Sequence, residues 1–111
     1  TTLVETSEHD DHPRVAYARD LRRDVRVLAD DRGLATIGRG LGGRFELGFE
    51  VDERRRGAGL GRTLLRDVRA ELPAGEPLFA SCAPGNARSL RALLAAGFEV
   101  IGGEVLIRPA A

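Results

Sequence analysis

The feature that most narrows what this chain can fold into is a change of hydrophobic period near residue 55. Upstream, Phe45, Leu47, Phe49 and Val51 recur at every second position with Glu46, Gly48 and Glu50 between them, the pattern of a strand with one apolar face. Downstream, Leu60, Leu64, Leu65, Val68 and Leu72 recur at helical spacing until Pro73, Ala74 and Gly75 stop the pattern. Between the two lies Arg54-Arg55-Arg56-Gly57-Ala58-Gly59-Leu60-Gly61-Arg62, with a glycine at every other position from 57 to 61. Such a loop lets the backbone turn tightly and approach a ligand, and the helix that follows presents unpaired amides and the positive end of its dipole. A pyrophosphate would satisfy both. Two other phosphate loops do not fit: a dinucleotide fingerprint needs glycine where Arg62 stands, and a P-loop needs a lysine that this chain does not contain.

The remaining patterns set this loop in a single α/β domain spanning residues 1–111, an α+β arrangement with a mixed sheet. Residues 13–24 read as a short amphipathic helix opening on Pro13. Val25, Val27 and Ala29 form a strand, and Asp30-Asp31-Arg32-Gly33 supplies a turn into a second strand over 34–39. After the loop and its helix, 78–82 is a short apolar strand. Residues 86–96 form a helix with Leu90, Leu93 and Leu94 facing inward, ended by Gly97. Phe98, Val100 and Ile101, then Gly102 and Gly103, then Val105, Leu106 and Ile107 read as a terminal hairpin. Residues 1–12 are polar and acidic and read as a flexible end.

Charge and composition limit the partners. Seventeen arginines balance seventeen acidic residues, so no overall field draws the chain to nucleic acid or to an anionic membrane, and attraction to a phosphate has to be local. No run approaches the roughly 20 apolar residues needed to cross a bilayer. One cysteine, Cys82, cannot form an internal disulfide, which fits a reducing, cytoplasmic setting. His9 and His12 beside Asp10 and Asp11 suggest a metal site or a base, but two histidines without a further cluster do not make a site, and no metal is assigned.

Residues 51–65, with Arg56, Gly59 and Gly61 in the spacing Arg, two residues, Gly, one residue, Gly, resemble the acetyl-CoA signature of the Gcn5-related N-acetyltransferase family. The strand at 78–82, Asn86 opening a helix, and Gly97-Phe98 closing it resemble that family's next motif. The resemblance runs from about residue 25 to residue 108. It implies a fold of this family truncated at the N-terminus, either a short form or the C-terminal part of a longer member. It also implies acetyl-CoA as co-substrate. On this resemblance Val51 holds the pantetheine arm through its backbone, and the amides of Gly57, Ala58, Gly59, Leu60, Gly61 and Arg62 hold the pyrophosphate. Arg56 and Arg62 supply charge, and Asn86 reaches the cofactor across a gap between two strands.

The implied reaction is N-acetyl transfer to a primary amine of a small molecule or peptide by direct attack. It needs a base, an oxyanion donor and a proton for the departing thiolate. Glu50 and Glu46, on the polar face of the 45–51 strand, are the candidate bases, and a backbone amide near Val51 is the oxyanion donor. Many family members carry an acid tyrosine seven residues after the asparagine, where this chain has Leu93. Its one tyrosine, Tyr17, lies in the first helix, and Ser89 and Cys82 are the nearby polar alternatives. The departure at Leu93 opens a second expectation, a catalytically silent acyl-CoA-binding module or one half of a two-domain acetyltransferase. A chain this short can complete an acceptor wall by forming a homodimer, for which an exposed apolar face on the first helix or the last hairpin would be the signature.

Overall fold

Strands adjacent in sequence become neighbours in space, and one change of direction creates the site. In a computed structural model of the protein, residues 3–55, 59–82 and 86–102 are described. They form strand β1 (Val4–Glu5), helix α1 (Pro13–Leu21), strands β2 (Arg23–Asp30), β3 (Gly33–Arg39) and β4 (Phe45–Val51), helix α2 (Leu60–Arg69), strand β5 (Leu78–Ala80) and helix α3 (Ala87–Ala95). The sheet order is β1-β2-β3-β4-β5. The first four strands are antiparallel and joined mostly by short turns. β5 is parallel to β4, which requires a crossover, and α2 supplies it.

Alternation along the strands sorts the helices onto two faces. Leu28, Ala35, Ile37, Leu47 and Phe49 pack with Leu64, Leu65 and Val68 of α2 and Leu93 of α3 in one core. Val27 and Leu34, the immediate chain neighbours of Leu28 and Ala35, point the other way and pack with Val15 of α1 in a smaller core. The sheet is therefore covered by α2 and α3 on one side and by α1 on the other. Tyr17 and Leu21 stand on the outer side of α1, about half exposed. Among the described residues no helix is long and apolar enough to cross a membrane.

Several expectations change at their edges. The opening segment carries a strand, Val4 pairing with Ala29 and Glu5 with Leu28, because β2 presents an edge to which the chain can return. α1 ends at Leu21 rather than at 24: Arg22 is already extended and Asp24 takes a positive φ of 52°, the irregularity with which β2 enters the sheet. In α3 only Leu93 of the three leucines is buried, while Leu90 and Leu94 are exposed. Ala92 and Ala96 line the inward stripe beside Leu93. The helix closes as expected on Gly97, with φ 97° and the Phe98 amide donating to the Leu93 carbonyl at 3.0 Å, a Schellman ending. Phe98 packs against the core, but Val100 and Ile101 are exposed and form no ladder among the described residues. The second strand of the expected terminal hairpin, with Gly103, Val105, Leu106 and Ile107, lies outside them.

Candidate functional site

β4 leaves its partner halfway along. Pairing with β5 runs from Phe45↔Leu78 to Leu47↔Ala80 and stops there, whereas pairing with β3 continues to Gly33↔Val51. Among the described residues, 48–51 thus have a strand on one side only. α2 begins at the mouth of this divergence. Its N-cap, Gly59, has φ 71°, a left-handed conformation that favours glycine, and no side chain caps the first turn. A Cβ built at Gly59 would meet nothing within 4 Å among the described residues. At Gly61 the reverse holds: a Cβ there would lie 3.1 Å from the Ala92 Cβ and 3.5 Å from Val51 Cγ2, so glycine lets α2 settle against α3 and the end of β4. Leu60 is partly buried and Arg62 exposed. Arg56, Gly57 and Ala58 lie outside the described residues.

Asn86 opens α3, and its Oδ1 accepts from the Ser89 amide at 3.2 Å. The cap uses the carbonyl oxygen of the side chain and leaves its NH₂ group for other partners. Leu93 is 5% exposed within the main core, so an apolar side chain fills the position where the resemblance would place an acid. Cys82 is a free, partly buried thiol packed against that core. Tyr17 lies on the opposite face of the sheet in α1, with the Arg22 guanidinium 5.9 Å from its ring centre.

The two candidate bases sit on the α1 face of β4 in different surroundings. Glu46 accepts from Arg22 Nε at 2.9 Å, Arg44 Nε at 2.8 Å and the Leu41 amide at 3.3 Å. Burial pushes its carboxyl up, but these donors outweigh burial and hold it below the ordinary carboxylate value. Its acceptor capacity is taken, which suits an anchor better than a proton acceptor. Glu50, two pleats on, has one partner among the described residues: Oε2 lies 2.8 Å from Nε2 of His12. The side chains are 40% and 25% exposed. The two carboxylates hold the two ends of α1. Nine helical residues rise about 13.5 Å and four strand steps cover about the same length, so Glu50 meets the N-cap His12 and Glu46 meets Arg22 just past the last turn.

Glu50 also borders a cavity of about 450 Å³ at the C-terminal end of β4, with His9, His12, Val51, Asp52 and Glu53 among its walls. Asp30 is part of the lining too, but it is committed to Arg32, whose Nη2 lies 2.6 Å from Asp30 Oδ2 and whose Nη1 lies 2.8 Å from Asp67 Oδ2 of α2. Burial pushes the Asp30 carboxyl up, and hydrogen bonds from the Arg32 side chain and amide bring it below its ordinary value. The Arg32 carbonyl in turn accepts from the Asp52 amide at 2.7 Å. This clasp joins the β2–β3 turn to the end of β4 through Asp52 and to the last turn of α2 through Asp67. Among the described residues no three His, Cys, Asp or Glu side chains gather as a metal site.

Comparison adds no relative. Protein-family models, curated proteins and solved structures return no match to this chain.

Of the residues singled out in the sequence, Gly59, Leu60 and Gly61 open α2, Gly61 lies against Val51 at the end of β4, and Glu50 borders the cavity beside Val51. Glu46 lies at the other end of β4, away from that cavity. His12 is the residue that sequence reasoning placed in a flexible end. Its position directly before a proline and an amphipathic run, where N-caps stand, was the available signal.

Proposed function

We propose that this chain is an acetyl-CoA-dependent N-acetyltransferase that acts on a primary amine of a small molecule or peptide. One observation carries the reading: β4 and β5 separate after Leu47 and Ala80 where a glycine-capped, side-chain-uncapped helix begins, and a carboxylate on β4 stands at the same end in an open cavity. The edge of residues 48–51, which pairs with no other described strand beyond β3, suits an extended arm laid along it as an added strand, with Val51 as its contact. The open start of α2 suits a pyrophosphate on the amides of residues 57–62. Arg56 and Arg62 add charge there, and Asn86 contacts the cofactor from the far side of the gap.

In this reading the acceptor amine enters through the cavity beside Glu50. Its nitrogen attacks the thioester carbonyl carbon, its proton passes to Glu50 directly or through a water, and the C–S bond breaks as the amide forms. A backbone amide near Val51 faces the developing oxyanion. No side-chain acid is assigned to the departing sulfur. A thiol with an ordinary pKa of about 8.5 leaves tolerably as thiolate and takes its proton from water. The burial of Leu93 favours a second reading, an acyl-CoA-binding module without turnover.

Release of free thiol from acetyl-CoA, measured against polyamines, aminoglycosides and peptides with a free amine, separates the two. The acetyltransferase reading expects release that depends on one class of amine. Binding of acetyl-CoA without release on any amine supports the silent module.

A further inference from the structure

We infer that His12 is a positioning residue for Glu50, with the direction of its hydrogen bond fixed by the N-terminus of α1. The inference rests on the acetyltransferase reading above, in which Glu50 accepts the amine proton.

His12 is the N-cap of α1, with Pro13 in the first helical position, and its Nδ1 accepts from the Arg14 amide at 3.1 Å. A ring nitrogen that accepts an amide hydrogen has its lone pair in that bond and carries no hydrogen itself, so the imidazole hydrogen lies on Nε2. Nε2 is 2.8 Å from Glu50 Oε2. The pair therefore has one polarity, with His12 donating and Glu50 accepting.

Capping alone does not account for an imidazole here. Serine, threonine, aspartate or asparagine caps a helix at least as well. None of them also reaches a strand on the other side with a second polar atom, whereas the two nitrogens of an imidazole face opposite ways. The backbone that carries the ring is itself fixed, since the His12 amide donates to the His9 carbonyl at 2.9 Å and the His12 carbonyl accepts from the Ala16 amide at 3.0 Å.

The consequence falls on Glu50. With Oε2 engaged, Oε1 accepts no hydrogen bond from the described residues, and the side chain borders the cavity at 40% exposure. Asp30, the other carboxylate on that wall near the sheet, is clasped by Arg32. As the new N–C bond forms and the C–S bond breaks, the amine proton goes to Oε1 of Glu50 and is passed on to solvent. His12 keeps its own hydrogen throughout. Without His12 the carboxylate can turn, and the fraction aligned for proton transfer falls.

The test is a double-mutant cycle with acetyl-CoA and the amine that gives the fastest thiol release. His12→Asn keeps a strong helix cap but cannot reach Glu50, so the fold is retained and the positioning contact is lost. The expected result is a kcat about tenfold lower with the KM for acetyl-CoA unchanged, and no further loss when His12→Asn is added to Glu50→Gln. A His12→Asn loss that multiplies the Glu50→Gln loss, or that falls on the KM for acetyl-CoA, overturns the inference. The imidazole ¹⁵N spectrum of the wild-type protein at neutral pH supplies a readout that needs no turnover. A protonated Nε2 beside an unprotonated Nδ1, with Nε2 shifting in Glu50→Gln, is expected, and a protonated Nδ1 overturns the pairing. If no amine is acetylated, the enzyme reading fails and the catalytic part of this inference fails with it, while the nitrogen spectrum still decides whether the His12–Glu50 bond has the stated direction.

Discussion

The two ends of β4 carry the same side chain for different purposes. At one end Glu46 is 16% exposed and surrounded by Arg22, Arg44 and the Leu41 amide. At the other, Glu50 is more open, is held among the described residues by one histidine and faces a cavity. They are two pleats apart on one face of one strand, so strand geometry does not separate them. The donors delivered by other parts of the chain do. A carboxylate whose lone pairs are filled by cations fastens the structure, and one with a free oxygen beside a cavity is available for chemistry.

The sharpest way to break this comparison is to neutralise each carboxylate in turn. Glu50→Gln is expected to lower kcat by about 10²-fold or more, the usual scale for losing a positioned base, while moving the melting temperature little because the residue is half-exposed. Glu46→Gln is expected to do the opposite. It leaves the nearly buried Arg22 without its anion, which costs about 2–4 kcal/mol and lowers the melting temperature by on the order of 10 °C, with modest change in kcat of the folded protein. If both substitutions act alike on rate and on stability, the division between the two ends is wrong.

Acid sharpens the same contrast. Asp30 and Glu46 are held below their ordinary values in the folded protein, so as pH falls the unfolded chain takes up protons before the folded one. Their contribution to stability is full above the ordinary carboxylate range and is lost as pH drops below about 4. Urea melts at pH 7, 5, 4 and 3 should show a decline concentrated in the last interval, and Glu46→Gln should make that decline shallower. The smallest effect is expected at Arg62, whose exposed side chain adds charge near the start of α2: Arg62→Gln should weaken acetyl-CoA binding a few-fold, and more so at low salt than at high salt.

The sequence made β4 and α2 legible because each has one period and one apolar face, and the glycine loop stood out between them. The divergence of β4 from β5 was not written in either strand. It follows from the length of β5, three residues against seven in β4. α3 misled for a different reason: leucine and alanine occupy most of its positions, so composition allowed several inward stripes and packing against Gly61 chose the one with Ala92 and Leu93. Glu46 and Glu50 were visible as a pair, but their partners, Arg22 and His12, lie 24 and 38 residues away in sequence and become neighbours only when α1 lies across the strand. The clasp of Asp30, Arg32 and Asp67 was hidden inside what reads as ordinary turn chemistry.

Calorimetric titration of acetyl-CoA into the wild-type protein and into Gly59→Glu tests the central claim most directly. No described residue lies within 4 Å of a Cβ built at Gly59, so the substitution brings no clash with them. It carries only the cost of a left-handed residue, about 1–2 kcal/mol of stability, and sets a negative charge where the pyrophosphate would lie. The account expects saturable binding to the wild type at one site per chain and none to a folded Gly59→Glu. No binding to the wild type, or equal binding to both proteins, would contradict it.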